Sequence, residues 1–188
     1  MSMSDERPDT AILLAAIEFA SRKHSTQRRK DVEASPYINH PIAVAHVLAD
    51  TGGITDVVTL MAAVLHDTIE DTETTAGELE AQFGRTVRKV VEEMTDDKRL
   101  DKAVRKQLQI DHAPNLSGRA KAIKLADKIA NVRDVMESPP PDWSRARRIA
   151  YLDWTEHVVA GCRGANVPLE RLYDQVLRKG RATLAASE

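Results

Sequence analysis

Apolar residues recur at helical spacing along nearly the whole chain, and this periodicity limits the possible folds more than any other feature of the sequence. In the first such segment, Ile12, Leu13, Ala16, Ile17 and Ala20 share one face of a helix that the pattern predicts over residues 9–24. No segment alternates clearly between apolar and polar residues, as a half-buried strand would. The sequence therefore predicts an all-α protein, a compact bundle of about eight to ten helices.

Capping and turn-forming residues divide this pattern into separate helices. Pro41 suits the first turn of a second helix, Thr55 is the expected cap of a third, and Thr75 with Glu78 forms a capping box for a fourth that stops at Gly84. Further helices are expected over residues 85–95, 100–112 and 119–137. After the proline run at 139–141, two more are expected, one from Ser144 and one from near Pro168.

Length, charge and cysteine content indicate the class of protein. A chain of 188 residues is expected to form one domain, over residues 1–188. The net charge of −2 gives no general attraction to nucleic acid or to an anionic membrane, and no stretch has the apolar length of a membrane span. The lone Cys162 and the absence of a signal-peptide pattern favour the cytoplasm. The sequence does not specify an oligomeric state.

His66 and Asp67 are the first candidate functional residues, because they directly follow an apolar run over residues 62–65 that should be buried. Buried charges persist when they are paired or bound to a metal. Two other segments place a possible ligand in an apolar helical context, His40 at a helix start and Asp127 within the long helix. Two imidazoles and two carboxylates suit a divalent ion such as Mn²⁺ or Fe²⁺.

Each of these residues also has a simpler interpretation. An isolated His40 is more often a packed or surface histidine than a ligand, and Asp67 could merely cap a helix. Asp127 could pair with Lys124 or Lys128, of which only the first has a favourable helical spacing. The other histidines (His24, His46, His112 and His157) are expected to have packing, capping or surface roles.

Acidic and basic residues near these four extend the hypothesis. Glu70 and Asp71 follow His66 and Asp67 by one turn and are candidates to orient or deprotonate a water, although an acidic surface loop is the simpler reading. The basic loop that contains Arg29 and Lys30 could bind phosphate. Less specific candidates for contacts with phosphate, sugar or base are Lys102, Asn131, Arg147 and Tyr151.

The order His40, His66-Asp67, Asp127 resembles the HD superfamily of metal-dependent phosphohydrolases. More specifically, residues 23–30, 36–41, 66–72, 83–84 and 124–131 resemble the hydrolase domain of RelA/SpoT-type alarmone enzymes. The chain has no room for their synthetase and regulatory domains, so it is similar to the small, hydrolase-only members. The resemblance places the core motifs at residues 24–131 and implies that C-terminal helices over residues 144–186 pack on that core.

The resemblance implies a manganese-dependent 3′-pyrophosphohydrolase that converts (p)ppGpp to GDP or GTP and pyrophosphate. It implies one Mn²⁺ held by His40, His66, Asp67 and Asp127, with other divalent transition metals as alternatives, and a water activated by Glu70 and Asp71. It assigns the nucleotide to six residues: Arg29, Lys30, Lys102, Asn131, Arg147 and Tyr151. Two alternatives stay open, an HD phosphohydrolase that acts on another nucleotide such as NADPH, and a helical module that binds nucleotide without turnover.

Overall fold

The computed structural model describes residues 7–186, and within this range nine α-helices and one 3₁₀ turn form the fold. The helices are α1 (Asp9–Lys23), α2 (Asn39–Asp50), α3 (Val57–Leu65), α4 (Thr68–Asp71), α5 (Ala76–Met94), α6 (Lys102–His112), α7 (Gly118–Glu137), α8 (Arg145–Ala160) and α9 (Val167–Ala186), with the 3₁₀ turn at Ala113–Asn115. No β-strand occurs in the described range beyond an isolated bridge between Arg28 and Pro36. The prediction of an all-α fold with about eight to ten helices is confirmed.

Helix α7 lies at the centre of the molecule. Residues 122–130 are all buried, and α7 packs against α2, α3, α5, α8 and α9. A helix that is covered on every side normally has apolar residues all round. In α7 three charged residues interrupt that pattern, namely Lys124, Asp127 and Lys128, so the core of the fold contains a group of charges that needs partners.

Most helix boundaries follow local capping chemistry. Thr75 accepts a hydrogen bond from the backbone of Glu78 at the start of α5, as the capping box predicts. Gly84 has a φ of 85°, a conformation that favours glycine, and it interrupts α5 where the sequence predicts one helix to stop and the next to begin. The predicted cap of α3 is wrong by one residue, because Asp56 and not Thr55 accepts from the backbone of Thr59.

The helix that leads to His66 and Asp67 ends just before them. Helix α3 stops at Leu65, the two residues form a turn, and the single-turn helix α4 follows. The backbone amide of Asp71 donates to the carbonyl of Asp67, so a helical turn does connect the pair with the acidic residues after it. None of the helices in residues 7–186 is long and apolar enough to cross a membrane.

Candidate metal centre and nucleotide cavity

Four side chains from distant parts of the chain meet at the face of α7. His40 lies in the first turn of α2, His66 and Asp67 follow α3, and Asp127 lies in the middle of α7. His40 Nε2 lies 3.1 Å from Asp127 Oδ1, and His66 Nε2 lies 3.1 Å from Asp67 Oδ2. The two cross distances are 4.0 Å from His40 Nε2 to Asp67 Oδ2 and 3.8 Å from His66 Nε2 to Asp127 Oδ1.

These separations suit one divalent ion. Two donors that are each about 2.1 Å from an ion lie about 3.0 Å apart at a right angle and about 4.2 Å apart across it. The four distances between a histidine and an aspartate, 3.1 to 4.0 Å, fall between these limits. The group whose ligand atoms all lie within 4.8 Å of one another consists of His40, His66 and Asp67 and does not include Asp127. The chemistry of the donors, two imidazoles and two carboxylates, fits a borderline or hard divalent transition metal.

Hydrogen bonds outside this group orient three of its members. His66 donates from Nδ1 to the backbone carbonyl of Ala63 at 2.7 Å, which leaves Nε2 as the free donor atom of the ring. Tyr37 donates its hydroxyl to Asp67 Oδ2 at 2.7 Å, and Asn131 donates its amide to Asp127 Oδ1 at 2.6 Å. His40 differs, because its buried Nδ1 has no hydrogen bond partner among the described residues.

The electrostatic field at this point favours a cation. Burial opposes a charge on His66, but the carboxylates of Asp67 and Asp127 outweigh that effect and raise the pKa of His66 to about 9. Burial likewise opposes charge on the two carboxylates, yet the neighbouring imidazoles and Lys128 hold the pKa of Asp67 and of Asp127 below the usual range. A field that retains a proton on His66 also favours a metal ion in place of that proton.

Lys128, rather than Lys124, is the lysine paired with Asp127. Its Nζ lies 2.9 Å from Asp127 Oδ2, and the same ammonium lies 4.5 Å from the ring centre of Trp154. The sequence favours Lys124 on helical spacing, and that preference is wrong. Successive helix positions point in different directions, but the long lysine side chain spans the gap, and Trp154 covers its charge from the other side.

Glu70 and Asp71 lie beside the four candidate ligands. Together they line a cavity of about 160 Å³, which we call the inner cavity. Glu70 accepts a hydrogen bond from the backbone amide of Asp96 at 3.0 Å, and burial raises the pKa of its carboxyl. Asp71 forms an ion pair with Lys98. Both carboxylates thus have a cation nearby, since Arg105 lies 3.8 Å from Glu70 Oε1, but Glu70 has a raised pKa.

A larger cavity of about 1240 Å³, the outer cavity, adjoins the inner one, and Tyr37, His40, Asp71 and Asn131 line both. Of the six residues that the sequence assigns to the nucleotide, four line the outer cavity: Arg29, Lys30, Asn131 and Tyr151. The other two, Lys102 and Arg147, line neither cavity. Arg29 forms an ion pair with Asp134 across the rim of the outer cavity.

The structure turns Arg147 away from the outer cavity and Arg148 toward it. Arg147 donates to Asp142 at 3.1 Å, and its guanidinium lies 4.6 Å from the ring centre of Trp143. Arg148 lines the cavity with Trp143, and its buried Nε has no hydrogen bond partner in the described part of the chain. The apolar pattern of α8 does not distinguish two adjacent arginines, so the sequence gives no signal for this difference.

Several residues that line the inner cavity are not among the site residues that the sequence predicts, and two of them carry unused polar groups. Gln109 from α6 and Lys124 from α7 both line it. A signal for Lys124 exists in hindsight, because a lysine in the middle of a fully buried helix needs an explanation. Gln109 has no such signal, since α6 has no buried residue and reads as a surface helix.

The fold and these residues define an all-helical protein with a candidate metal centre of two histidines and two aspartates. The chain belongs to the HD domain family, whose model matches residues 16–151. It is similar to two proteins named guanosine-3′,5′-bis(diphosphate) 3′-pyrophosphohydrolase MESH1. The Xenopus tropicalis protein is 52% identical over 168 residues, which are 89% of this chain and 94% of that protein. The Homo sapiens protein is 50% identical over 176 residues, 94% of this chain and 98% of that one.

A solved structure supports the same relationship. It is described as a metazoan ortholog of SpoT that hydrolyzes ppGpp and plays a role in starvation responses. It superimposes on this chain with a TM-score of 0.88 at 44% identity, and the match covers 93% of this chain and 97% of the other.

Proposed function

We propose that this protein is a metal-dependent 3′-pyrophosphohydrolase that converts guanosine 3′,5′-bis(diphosphate) to GDP and pyrophosphate. The observation that carries the proposal is the position of Glu70 and Asp71, which line the same inner cavity as the four His and Asp side chains. The names of the similar proteins support the nucleotide as substrate. The residues at the centre support hydrolysis of a phosphate ester independently of those names.

We propose that His40, His66, Asp67 and Asp127 hold one Mn²⁺. The mixed nitrogen and oxygen donors support this metal, and Fe²⁺, Co²⁺ and Zn²⁺ accept similar ligands. When bound, such an ion supplies positive charge to a phosphoryl oxygen and lowers the pKa of a coordinated water. Tyr37 and Asn131, through their hydrogen bonds to Asp67 and Asp127, would keep the two carboxylates in position.

In the proposed reaction, Glu70 takes a proton from the attacking water. The water oxygen forms a bond to the phosphorus next to the ribose, and the bond from that phosphorus to the 3′ oxygen breaks. The 3′ oxygen then takes up a proton, so the products are a free 3′-hydroxyl and pyrophosphate. Burial raises the pKa of Glu70, which makes the carboxylate a stronger base than an exposed glutamate. Asp71, held by Lys98, would orient the water.

The outer cavity supplies cations for the remainder of the nucleotide. We propose contacts with phosphates, ribose or base from six residues, of which the last two lie outside the cavities in this structure: Arg29, Lys30, Asn131, Tyr151, Lys102 and Arg147. Arginine and lysine in this environment offset the charge of a diphosphate and the further charge that develops in the transition state.

One incubation tests the proposal. Purified protein is incubated with Mn²⁺ and ppGpp, with NADPH in parallel, and the products are separated. GDP and pyrophosphate in equal amounts support the proposal. Phosphate from NADPH without turnover of ppGpp supports a different nucleotide as substrate. Tight nucleotide binding without any turnover supports a binding module, which the presence of both Glu70 and Asp71 at the inner cavity argues against.

We also propose that residues 1–188 form one domain in the cytoplasm. The packing of α7 against both α8 and α9 supports the first statement, because the C-terminal helices then share the core of the motif-bearing helices. The second stays a prediction from the single cysteine.

A further inference from the structure

The inner cavity is lined by a buried lysine without a partner among the described residues. Lys124 lies one turn before Asp127 on α7 and is only 6% exposed. No hydrogen bond or ion pair to its ammonium occurs within residues 7–186. Burial lowers the pKa of Lys124, and the nearby charge of Lys128 adds to that effect. A buried ammonium without a partner is costly unless a ligand supplies the acceptors.

Lys128 provides the contrast. It lies four residues further along the same helix and lines the same cavity, but its ammonium is bound to Asp127 and lies over the ring of Trp154. The charge of Lys128 is therefore already compensated by protein groups. Lys124 has no such direct partner in the described part of the chain, and its charge is attracted only at longer range, by Asp127, Asp96 and Cys162.

Gln109 is a second unmatched group at the same cavity. Its amide nitrogen donates to Asp96 Oδ2 at 2.6 Å, whereas its carbonyl oxygen Oε1 is buried and accepts from no described residue. Within residues 7–186, the cavity is thus lined by the ammonium of Lys124, whose N–H groups have no acceptor, and by the carbonyl oxygen of Gln109, which has no donor. A ligand that matches both has several anionic oxygens and one hydroxyl, which is the composition of a singly protonated phosphate.

We infer that the inner cavity binds the distal phosphate of a diphosphate group, with Lys124 donating to its oxygens and Gln109 accepting from its protonated oxygen. This inference rests on the proposed function, since it places the proximal phosphate beside the four candidate ligands and the distal one deeper in the cavity. A volume of about 160 Å³ exceeds the roughly 30 Å³ that one water occupies in the liquid, so the cavity has room for such a group.

Gln109 favours the protonated form of this phosphate. Its buried Oε1 can only accept a hydrogen bond, so a phosphate bound beside it needs one protonated oxygen as the donor. A phosphate monoester loses its second proton near pH 6, so a modest shift keeps that proton in place at neutral pH. We expect Lys124 to make the enzyme selective for a diphosphate over a monophosphate, because only a diphosphate has a second phosphate for Lys124 to bind while the first lies beside the candidate ligands.

The direct test is calorimetric binding of inorganic pyrophosphate and inorganic phosphate to the Mn²⁺-loaded protein. The variant is Lys124→Met, and the matched control is Lys121→Met on the same helix, whose side chain lines neither cavity. We expect Lys124→Met to weaken pyrophosphate binding about tenfold or more, as for a lost hydrogen bond to a charged group. Phosphate binding should change less than about twofold, and Lys121→Met should change neither.

Two results would overturn the inference. One is an equal loss of affinity for both anions, which would make Lys124 a counter-charge for Asp127 and Asp96 only. The other is unchanged pyrophosphate binding in Lys124→Met. If that variant does not fold, Gln109→Leu on the exposed helix α6 serves in its place, and it should also weaken pyrophosphate binding more than phosphate binding.

The binding experiment and the activity assay test the two proposals independently. If the wild-type protein turns over neither ppGpp nor NADPH, the proposed function is wrong, whereas the preference for pyrophosphate and its dependence on Lys124 remain measurable. If ppGpp is hydrolysed but pyrophosphate binds no more tightly than phosphate, the proposed function stands and the role of Lys124 is refuted.

Discussion

The hydroxyl of Tyr37 lies 2.7 Å from Oδ2 of Asp67 and donates a hydrogen bond to it, although 30 residues separate the two in the chain. Burial and the charges of Asp67 and Asp71 raise the pKa of Tyr37, so the phenol keeps its proton and stays a donor. The loop between α1 and α2 is thereby connected to the candidate metal centre.

Tyr37→Phe is therefore expected to weaken Mn²⁺ binding by about tenfold or more, the usual effect of losing a hydrogen bond to a metal ligand. Titration of the metal-free protein with Mn²⁺ measures this. Tyr173→Phe is the control, because it removes a hydroxyl that is bonded to Thr155 at 2.8 Å in the core. Equal Mn²⁺ affinity of wild type and Tyr37→Phe would contradict the assigned role of Asp67.

Asp127→Ala and Glu70→Ala should separate metal binding from catalysis. Asp127→Ala removes a proposed ligand, so the protein should lose its metal on dialysis together with its activity. Glu70→Ala should retain the metal and lose about 10²- to 10⁴-fold in kcat, as expected for a general base. Elemental analysis and a ppGpp assay on the same samples measure both properties. Full activity of Glu70→Ala would refute the mechanism.

The two adjacent arginines of α8 are expected to differ. Arg148→Met should raise the KM for ppGpp about tenfold, since it removes a cation that faces the outer cavity. Arg147→Met should have a smaller effect on KM, because Arg147 is bound to Asp142 and Trp143. Steady-state kinetics of the two variants decide the point. A larger effect of Arg147→Met would mean that its pair with Asp142 opens and that Arg147 contributes more to substrate binding than Arg148 does.

Asp56 should contribute to stability in a way that depends on pH. Hydrogen bonds from Arg119 and Thr59 outweigh partial burial and lower its pKa to about 2 in the folded protein. A carboxylate whose pKa falls on folding stabilises the protein above its unfolded value, near 4, and loses that contribution as the pH falls towards 2.

We therefore expect Asp56→Asn to lower the free energy of unfolding at pH 7 by about 0.5–1 kcal/mol, since the pair with Arg119 is partly exposed and screened. The difference should vanish near pH 2. Urea unfolding at both pH values measures it. Arg119→Gln should reproduce the loss at pH 7, and a deficit that persists undiminished at pH 2 would assign it to something other than this charge pair.

Periodicity and capping predicted the helices well because both depend on neighbours within one turn. The break at Gly84, the cap at Thr75 and the start of α8 after Ser144 are examples. The sequence also predicted which four residues meet at the candidate centre, because charged groups in buried segments need partners. Whether they bind the metal stays a prediction.

Side-chain contacts between segments that are distant in the chain could not be predicted from the sequence. Nothing local distinguishes Arg147 from Arg148, or shows that Lys128 rather than Lys124 reaches Asp127. These outcomes depend on the positions of Trp143, just before α8, and Trp154, within α8, which are determined by tertiary packing. Gln109 illustrates the same limit, since its place at the inner cavity depends on how α6 packs against α8 and the 3₁₀ turn.

The candidate ligands come from three places in the chain, the start of α2, the turn after α3 and the centre of α7. An ion held by all of them would act as a removable cross-link that closes loops much as a disulfide does. Each closed loop restricts the unfolded chain, and an ion at a hundred times its dissociation constant would add about 2.7 kcal/mol to stability. Resistance to heat or proteolysis would then report on metal supply, so intact protein in a metal-poor environment would be scarcer even before its activity declined.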